Sequence, residues 1–216
     1  MTRSRSFLPI AGVCLKNNLP PHLLLCLGLL LGAFFLMQPA YWEADTSNSF
    51  FLIFLPLTGL LLLTPLFLPE QAEEVLDVIR VRSTPLGIIY GIRAVCSIVF
   101  LLALPAGALL ALRLLHCETD PGLWAAAVSS SLFLGGLGAL CYSLWENLPA
   151  AYLVPVLYFV LCAFTGQKRM EDWGLGAFYP FPGGEGAAPG FLPVLFFGGL
   201  VLLIAAIFQR CRKWAG

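Results

Sequence analysis

Charged residues are scarce in this sequence. They account for 11% of its 216 residues, whereas 59% are hydrophobic. A soluble domain carries roughly 25% charged residues, which cover the surface that faces water. This chain has too little charge for that, so lipid must solvate much of it. At about 20 residues per span, its length allows about five to seven membrane crossings.

Ionisable side chains are missing from the central turns of the apolar segments. An ion-coupled transporter normally needs a buried carboxylate or histidine there. The histidines, His22 and His116, only flank apolar segments, and no HExxH zinc motif occurs. The serines Ser129, Ser130 and Ser131 have no visible base and are expected to bond to their own helix. We therefore predict no catalytic residue, no metal site and no enzyme activity in this chain.

Signals for several other functions are also absent. The sequence lacks a GxxxxGK[ST] phosphate loop, so any ATP would have to bind to another subunit. The formal net charge is zero and no basic patch contains interleaved aromatic residues, which argues against nucleic acid as a partner. The seven cysteines include no CxxC pair, and four lie in apolar runs, where they act as small hydrophobic side chains. We expect no structural disulfide.

Six apolar segments predict six transmembrane helices. At about 1.5 Å of rise per residue, 19 residues cover roughly 28 Å, enough to cross the hydrocarbon core. The predicted spans are residues 23–38, 50–68, 86–115, 123–145, 148–165 and 191–208. The sequence therefore predicts an all-α membrane protein with one transmembrane domain over residues 1–216.

The distribution of basic residues predicts that both termini face the cytoplasm. Cytoplasmic loops carry an excess of Lys and Arg. An N-in, C-in arrangement places most of the 12 basic residues inside. These are Arg3, Arg5, Lys16, Arg80, Arg82, Arg210, Arg212 and Lys213, with Arg93 near the inner end of the third span.

Two of the segments outside the spans have a distinctive composition. Residues 1–22 begin with Arg3 and Arg5 and contain a short apolar stretch without a small-residue cleavage site. They therefore predict a helix that lies on the inner leaflet rather than a signal peptide. Residues 166–190 form a predicted extracellular loop that is rich in glycine, proline and aromatic residues.

The cytoplasmic segment 69–85 predicts a short amphipathic helix between the second and third spans. Pro69 suits the start of a helix, and Glu70 and Glu74 lie in its first turns, where the helix dipole favours negative charge. Arg80 and Arg82 suit the last turn. The apolar stripe comprises Val75, Leu76, Val78 and Ile79. Such a helix either anchors the chain to the membrane surface or acts as a lever that docks on a soluble motor.

Residues 70–93 carry a further pattern. The acidic start at Glu70 is followed by Ser83-Thr84-Pro85 and by Gly91-Ile92-Arg93 at the start of the third span. This region resembles the coupling-helix region of type-2 ABC exporter permeases. The resemblance extends more loosely over nearly the whole chain, including Phe178-Tyr179-Pro180-Phe181, which is similar to a Pro-Phe element before the last span. Two departures are the acidic pair Glu73-Glu74, where Gly-Thr is usual, and Arg93, where Lys is common.

The resemblance implies a permease dimer in the plasma membrane, above two separate ATP-binding subunits. The partners would be an ATP-binding subunit and a second permease subunit of the same or a different chain. ATP and Mg would bind in the partner, and this chain would hold no cofactor. The residues facing the ATP-binding subunit would be Glu70, Glu74, Leu76, Asp77 and Arg80. Those capping the exit path would be Trp173, Phe178, Tyr179 and Phe181, unless they form an ordinary interfacial aromatic belt.

The leading hypothesis is therefore a permease subunit that exports a hydrophobic, amphipathic or peptide-like substrate by alternating access. An alternative is a structural or regulatory multi-pass membrane protein that transports nothing. A membrane-embedded enzyme is a third possibility, which the lack of buried acids, bases and metal ligands argues against. The charged segment 69–85 favours the exporter, because a scaffold has no need of it.

Overall fold

The computed structural model describes residues 19–39, 41–71, 86–120, 122–181 and 191–215. All regular structure in these ranges is helical. The α-helices are α1 (Leu19–Met37), α2 (Ala44–Leu63), α3 (Leu86–Leu114), α4 (Gly122–Trp145), α5 (Leu148–Thr165), α6 (Gln167–Asp172) and α7 (Phe191–Ala215). Two 3-10 helices, Thr64–Gln71 and Gly176–Phe178, extend α2 and follow α6.

Six of these helices, all except the short α6, are long and apolar enough to cross a membrane. Their apolar windows have mean hydropathies between 1.6 and 2.5. The predicted all-helical, multi-pass membrane protein is confirmed at this level. The predicted orientation, and the predicted helix over 69–85, remain predictions.

At three places the observed α-helices extend four or more residues beyond the predicted spans. α1 begins at Leu19 rather than at residue 23, because Pro20 and Pro21 fit within a first turn that needs no backbone donors. The last residues of the predicted segment 1–22 therefore belong to α1, and residues 1–18 lie outside the described part of the chain. α2 begins at Ala44, ahead of the apolar run. α7 continues beyond Phe208 through Arg210 and Lys213 to Ala215.

Contacts between helix ends show that successive spanning helices alternate in direction. α3 begins beside the end of α2, where Arg93 donates to the Leu66 carbonyl. α7 ends beside the end of α4, where Arg210 contacts Glu146. We call this end of the bundle, where α1 also begins, the N-terminal end. The opposite end, which carries residues 166–181, is the loop end.

α4 is the centre of the bundle. In its apolar window 78% of residues are buried, and in that of α2 72%, against 22% or 28% in the other four spanning helices. α4 can occupy the centre because its glycines let the neighbouring helices approach closely. A Cβ built at Gly135 would lie 2.5 Å from the Gly59 carbonyl oxygen of α2, and one at Gly136 would lie 2.6 Å from the Gly199 oxygen of α7. Gly135 and Gly136 therefore allow α2 and α7 to approach α4 closely.

Candidate functional site: a loop-capped apolar cavity

The loop between α5 and α7 folds back onto the bundle. Gly166 ends α5 with φ 75° and Gly174 follows α6 with φ 71°, a backbone region that suits glycine. Between them, α6 buries Met170 completely. The chain then passes through the 3-10 turn Gly176–Phe178 to Phe181. These turns place the aromatic residues of the loop against α4 and α5.

Two hydrogen bonds join this loop to the spanning helices. The Tyr158 hydroxyl of α5 donates to the Phe178 carbonyl over 2.6 Å. The Ser130 hydroxyl of α4 donates to the Pro180 carbonyl over 2.7 Å. Because an unpaired polar group costs free energy in an apolar environment, both bonds hold the loop in place.

Aromatic contacts reinforce the same attachment. The Phe178 ring stacks on Phe133 of α4, with 5.6 Å between centroids. The Phe181 ring packs on Phe159 of α5 at 4.8 Å and on Tyr179 at 5.4 Å. Burial, and secondarily the Cys162 thiol, raises the pKa of Tyr179. Its phenol therefore stays neutral around pH 7.

Three of the four residues predicted to cap the exit path therefore lie together against the bundle. They are Phe178, Tyr179 and Phe181. Trp173, the fourth, follows α6 and is 56% exposed. Their role at an exit path remains a prediction.

Beneath Phe178 lies a cavity of about 740 Å³. Small-molecule sites span roughly 300–1,000 Å³, so this volume suits a ligand. The cavity is lined by Phe133, Leu137, Tyr158, Leu175, Phe178, Pro193, Val194, Phe197, Gly198, Val201 and Leu202. Tyr158 carries the one polar side chain in this lining, and its hydroxyl already donates to the loop.

The structure describes only one of the five residues predicted to face an ATP-binding subunit. Glu74, Leu76, Asp77 and Arg80 lie outside the described residues, and Glu70 lies in the 3-10 helix Thr64–Gln71 at the N-terminal end. Arg93, near the start of α3, donates from Nη1 to the Leu66 carbonyl over 3.4 Å. The interactions expected of these residues stay predictions.

A charged cluster at the N-terminal end was not predicted. Arg210 of α7 is 2% exposed and its Nη1 lies 2.6 Å from Glu146 Oε1. Lys213 lies 3.3 Å from the same oxygen and donates to the Leu144 carbonyl. The sequence does contain a signal for this cluster. Glu146 follows the fourth predicted span and Arg210 follows the sixth, and both spans are predicted to end on the same side of the membrane. What the sequence does not indicate is that α4 and α7 are neighbours.

The serines of α4 behave partly as expected. Ser129 donates to the Ala125 carbonyl and Ser131 to the Ala127 carbonyl of their own helix. Ser131 also reaches the Leu55 carbonyl of α2 over 2.9 Å. Ser130 instead donates to the loop, so the prediction of bonding within the helix is wrong for this residue.

Removing the Ser130 hydroxyl is expected to loosen the loop. We expect Ser130→Ala to increase amide hydrogen exchange of residues 166–181 several-fold, since one buried hydrogen bond contributes about 1 kcal/mol. Ser129→Ala is the matched control, because the Ser129 hydroxyl bonds only to its own helix. Equal exchange in the two variants would contradict the anchoring role of Ser130.

Neither a metal site nor a known relative adds to this description. Within the described ranges, no three His, Cys, Asp or Glu side chains are grouped as a metal ion would require. Comparison with protein-family models, with curated proteins and with solved structures found no match. The function must therefore be argued from the residues themselves.

Proposed function

We propose that this chain is the permease subunit of an ATP-driven exporter in the cell membrane, carrying a hydrophobic, amphipathic or peptide-like substrate. The observation that carries the proposal is the sequence of residues 70–93. An acidic-to-basic amphipathic segment with Ser83-Thr84-Pro85 lies between two spanning helices, α2 and α3. The resemblance of this segment to a coupling helix implies that its charged residues dock on an ATP-binding subunit.

The helices on both sides of this segment are packed in a way that suits a lever. Phe67 follows α2, Tyr90 lies near the start of α3 and Tyr142 lies near the end of α4, and all three are fully buried. The Phe67 ring meets Tyr90 edge-on at 5.0 Å and stacks on Tyr142 at 6.1 Å. We call these residues the aromatic triad. Phe67 and Tyr90 each lie four residues from an end of the segment between Gln71 and Leu86, so the triad joins the helices that a displacement of that segment would move.

α4 connects the triad to the cavity. Tyr142 lies near one end of this helix, whereas Ser130 and Phe133 contact the loop toward the other. A packed helix moves as a rigid element rather than bending at each residue, so a tilt at the N-terminal end changes the position of both loop contacts. In the proposed cycle, ATP closes the partner subunits, the coupling helices tilt, and the dimer opens toward the loop end.

The test is purification of the chain from its native membrane in mild detergent, followed by an ATPase assay. We expect an ATP-binding protein to co-purify and to be lost when Leu76 and Asp77 are both changed to Lys. Glu118→Lys is the control, because Glu118 is exposed at the loop end and the charge reversal there leaves the proposed docking segment intact.

Two results would contradict the proposal. One is recovery of well-expressed chain without any ATPase, which would favour the structural or regulatory alternative. The other is equal loss of the ATPase in the Glu118→Lys variant, which would show that the effect is not specific to residues 76 and 77.

A further inference from the structure

The apolar cavity is a gap between two spanning helices. α5 and α7 both pack against α4 and make at most marginal contact with each other. α4 forms the back of the gap through Phe133 and Leu137, and Phe178 of the loop closes it at the loop end. Among the described residues, no spanning helix besides α4, α5 and α7 lines the gap, so the side that faces away from α4 is left open.

The open side of the cavity is continuous with the outer face of α7. Val194, Phe197 and Val201 line the cavity and are 39%, 63% and 64% exposed. Their spacing of three and four residues places them on one helix face, which Ile204 and Phe208 continue beyond the cavity. In a multi-pass membrane protein such an apolar face lies against lipid, so the cavity opens sideways into the bilayer.

The chemistry of the lining selects hydrocarbon. The Tyr158 hydroxyl is satisfied by the Phe178 carbonyl, so it offers no donor to a ligand. A polar ligand group in the cavity would lose its hydrogen bonds to water, and among the described lining side chains it would meet only the Tyr158 hydroxyl oxygen as an acceptor. The adjoining segment 182–190 contains only Pro, Gly, Ala and one Glu, so it supplies no large apolar side chain to occupy the space.

We propose that this cavity holds an acyl chain of a membrane lipid, which enters sideways between α5 and α7. The identification of that lipid as cargo rests on the proposed function. The binding of the acyl chain rests only on the geometry of the cavity. The substrate class that follows is a lipid or lipid-linked molecule whose hydrocarbon tail occupies the site while its polar part stays at the loop end.

The test uses the full chain in phosphatidylcholine vesicles that contain a fraction of phosphatidylcholine with a diazirine in the middle of one acyl chain. After illumination, labelled residues are identified by mass spectrometry. Leu137 and Leu202 line the cavity and are only partly exposed, whereas Leu153 is 58% exposed and lies outside it. We expect labelling at Leu137 and Leu202 as well as at the lipid-facing Leu153.

A substitution that fills the cavity should remove the inner labelling selectively. A Cβ at Gly198 would lie 3.5 Å from Phe178 Cε1 and 3.6 Å from Phe133 Cδ2, so the leucine of Gly198→Leu would take up cavity volume beside these two stacked rings. We expect labelling at Leu137 and Leu202 to fall about tenfold, with Leu153 unchanged. Gly28→Leu is the matched control, because a Cβ there meets nothing within 4 Å.

If Gly198→Leu fails to fold, Val201→Trp, which narrows the open side, provides the same comparison. Absence of label at Leu137 and Leu202, or label that persists in both cavity variants, would overturn the proposal. So would cross-links between two copies of the chain at these residues, because a second copy would then be the occupant. The labelling experiment contains no ATP and no partner subunit, so a negative labelling result would not contradict the proposed permease function. Equally, failure to recover an ATPase would not contradict the acyl-chain site.

Discussion

Replacing Glu146 by glutamine is expected to lower the free energy of unfolding by about 2–3 kcal/mol, because the buried Arg210 guanidinium loses the counter-charge of the Glu146 carboxylate. Arg210 Nη1 lies 2.6 Å from the Glu146 carboxylate, and the arginine side chain is 3% exposed while that of the glutamate is 50% exposed. Because the Glu146 side chain is half exposed, water screens its interaction with Arg210. We therefore expect a loss of stability at the lower end of the range for buried ion pairs. Denaturant unfolding in detergent micelles measures it.

Lys213 gives the matched control for this prediction. It contacts the same Glu146 oxygen, but its side chain is 37% exposed, so water screens the pair. We expect Lys213→Met to cost less than about 1 kcal/mol. The double variant Glu146→Gln with Arg210→Met is expected to recover most of the stability, because it removes the buried charge together with its partner. Equal effects of Glu146→Gln and Lys213→Met would contradict this account.

The membrane-spanning helices could be predicted from the sequence because lipid imposes a simple rule. An apolar run of sufficient length forms a helix, and the run from residue 148 to 165 matches α5 at both ends. The rule fails where charge is paired by tertiary contacts. The predicted sixth span stops at Phe208, before Arg210, yet α7 continues because Glu146 meets that arginine at the end of α4.

The candidate site could be predicted only in part, for a related reason. The aromatic cluster at residues 178–181 can be recognised from the amino-acid composition of the loop. Its contacts are not, because Ser130 and Pro180 are 50 residues apart and no periodicity links them. The cavity depends on α5 and α7 both packing on α4 while making at most marginal contact with each other, which is a property of the packing rather than of either helix. Local sequence therefore indicates the loop but not the space beneath it.

Phe67 gives the second large expected effect. It is fully buried in the aromatic triad, and Phe67→Ala is expected to cost about 3–5 kcal/mol through the cavity that it leaves. Phe67→Leu retains most of the apolar volume but removes the ring that stacks on Tyr142 and meets Tyr90 edge-on. We expect this milder variant to fold and still bind the ATP-binding subunit. It therefore tests whether the ring transmits movement to α4 separately from its contribution to folding.

If the aromatic triad transmits movement from residues 72–85 to α4, Phe67→Leu should weaken the response of the loop to ATP. In the purified complex, we expect the ATP-dependent change in amide hydrogen exchange of residues 166–181 to fall about threefold, which corresponds to a coupling energy within the 0.5–2 kcal/mol range. The exchange of the same residues without ATP should change little. Hydrogen-exchange mass spectrometry with and without nucleotide measures both quantities.

Phe50→Leu is the control for the transmission experiment. Phe50 is as fully buried as Phe67, but it packs with Phe34, Phe51 and Phe54 in a separate aromatic cluster of α1 and α2. The same substitution should therefore cost similar stability while leaving the ATP response intact. A reduced response in both variants would mean that the loop senses overall stability. A reduced response in Phe67→Leu alone would place the lever at the junction of α2, α3 and α4, on the helix that also carries the loop contacts Ser130 and Phe133.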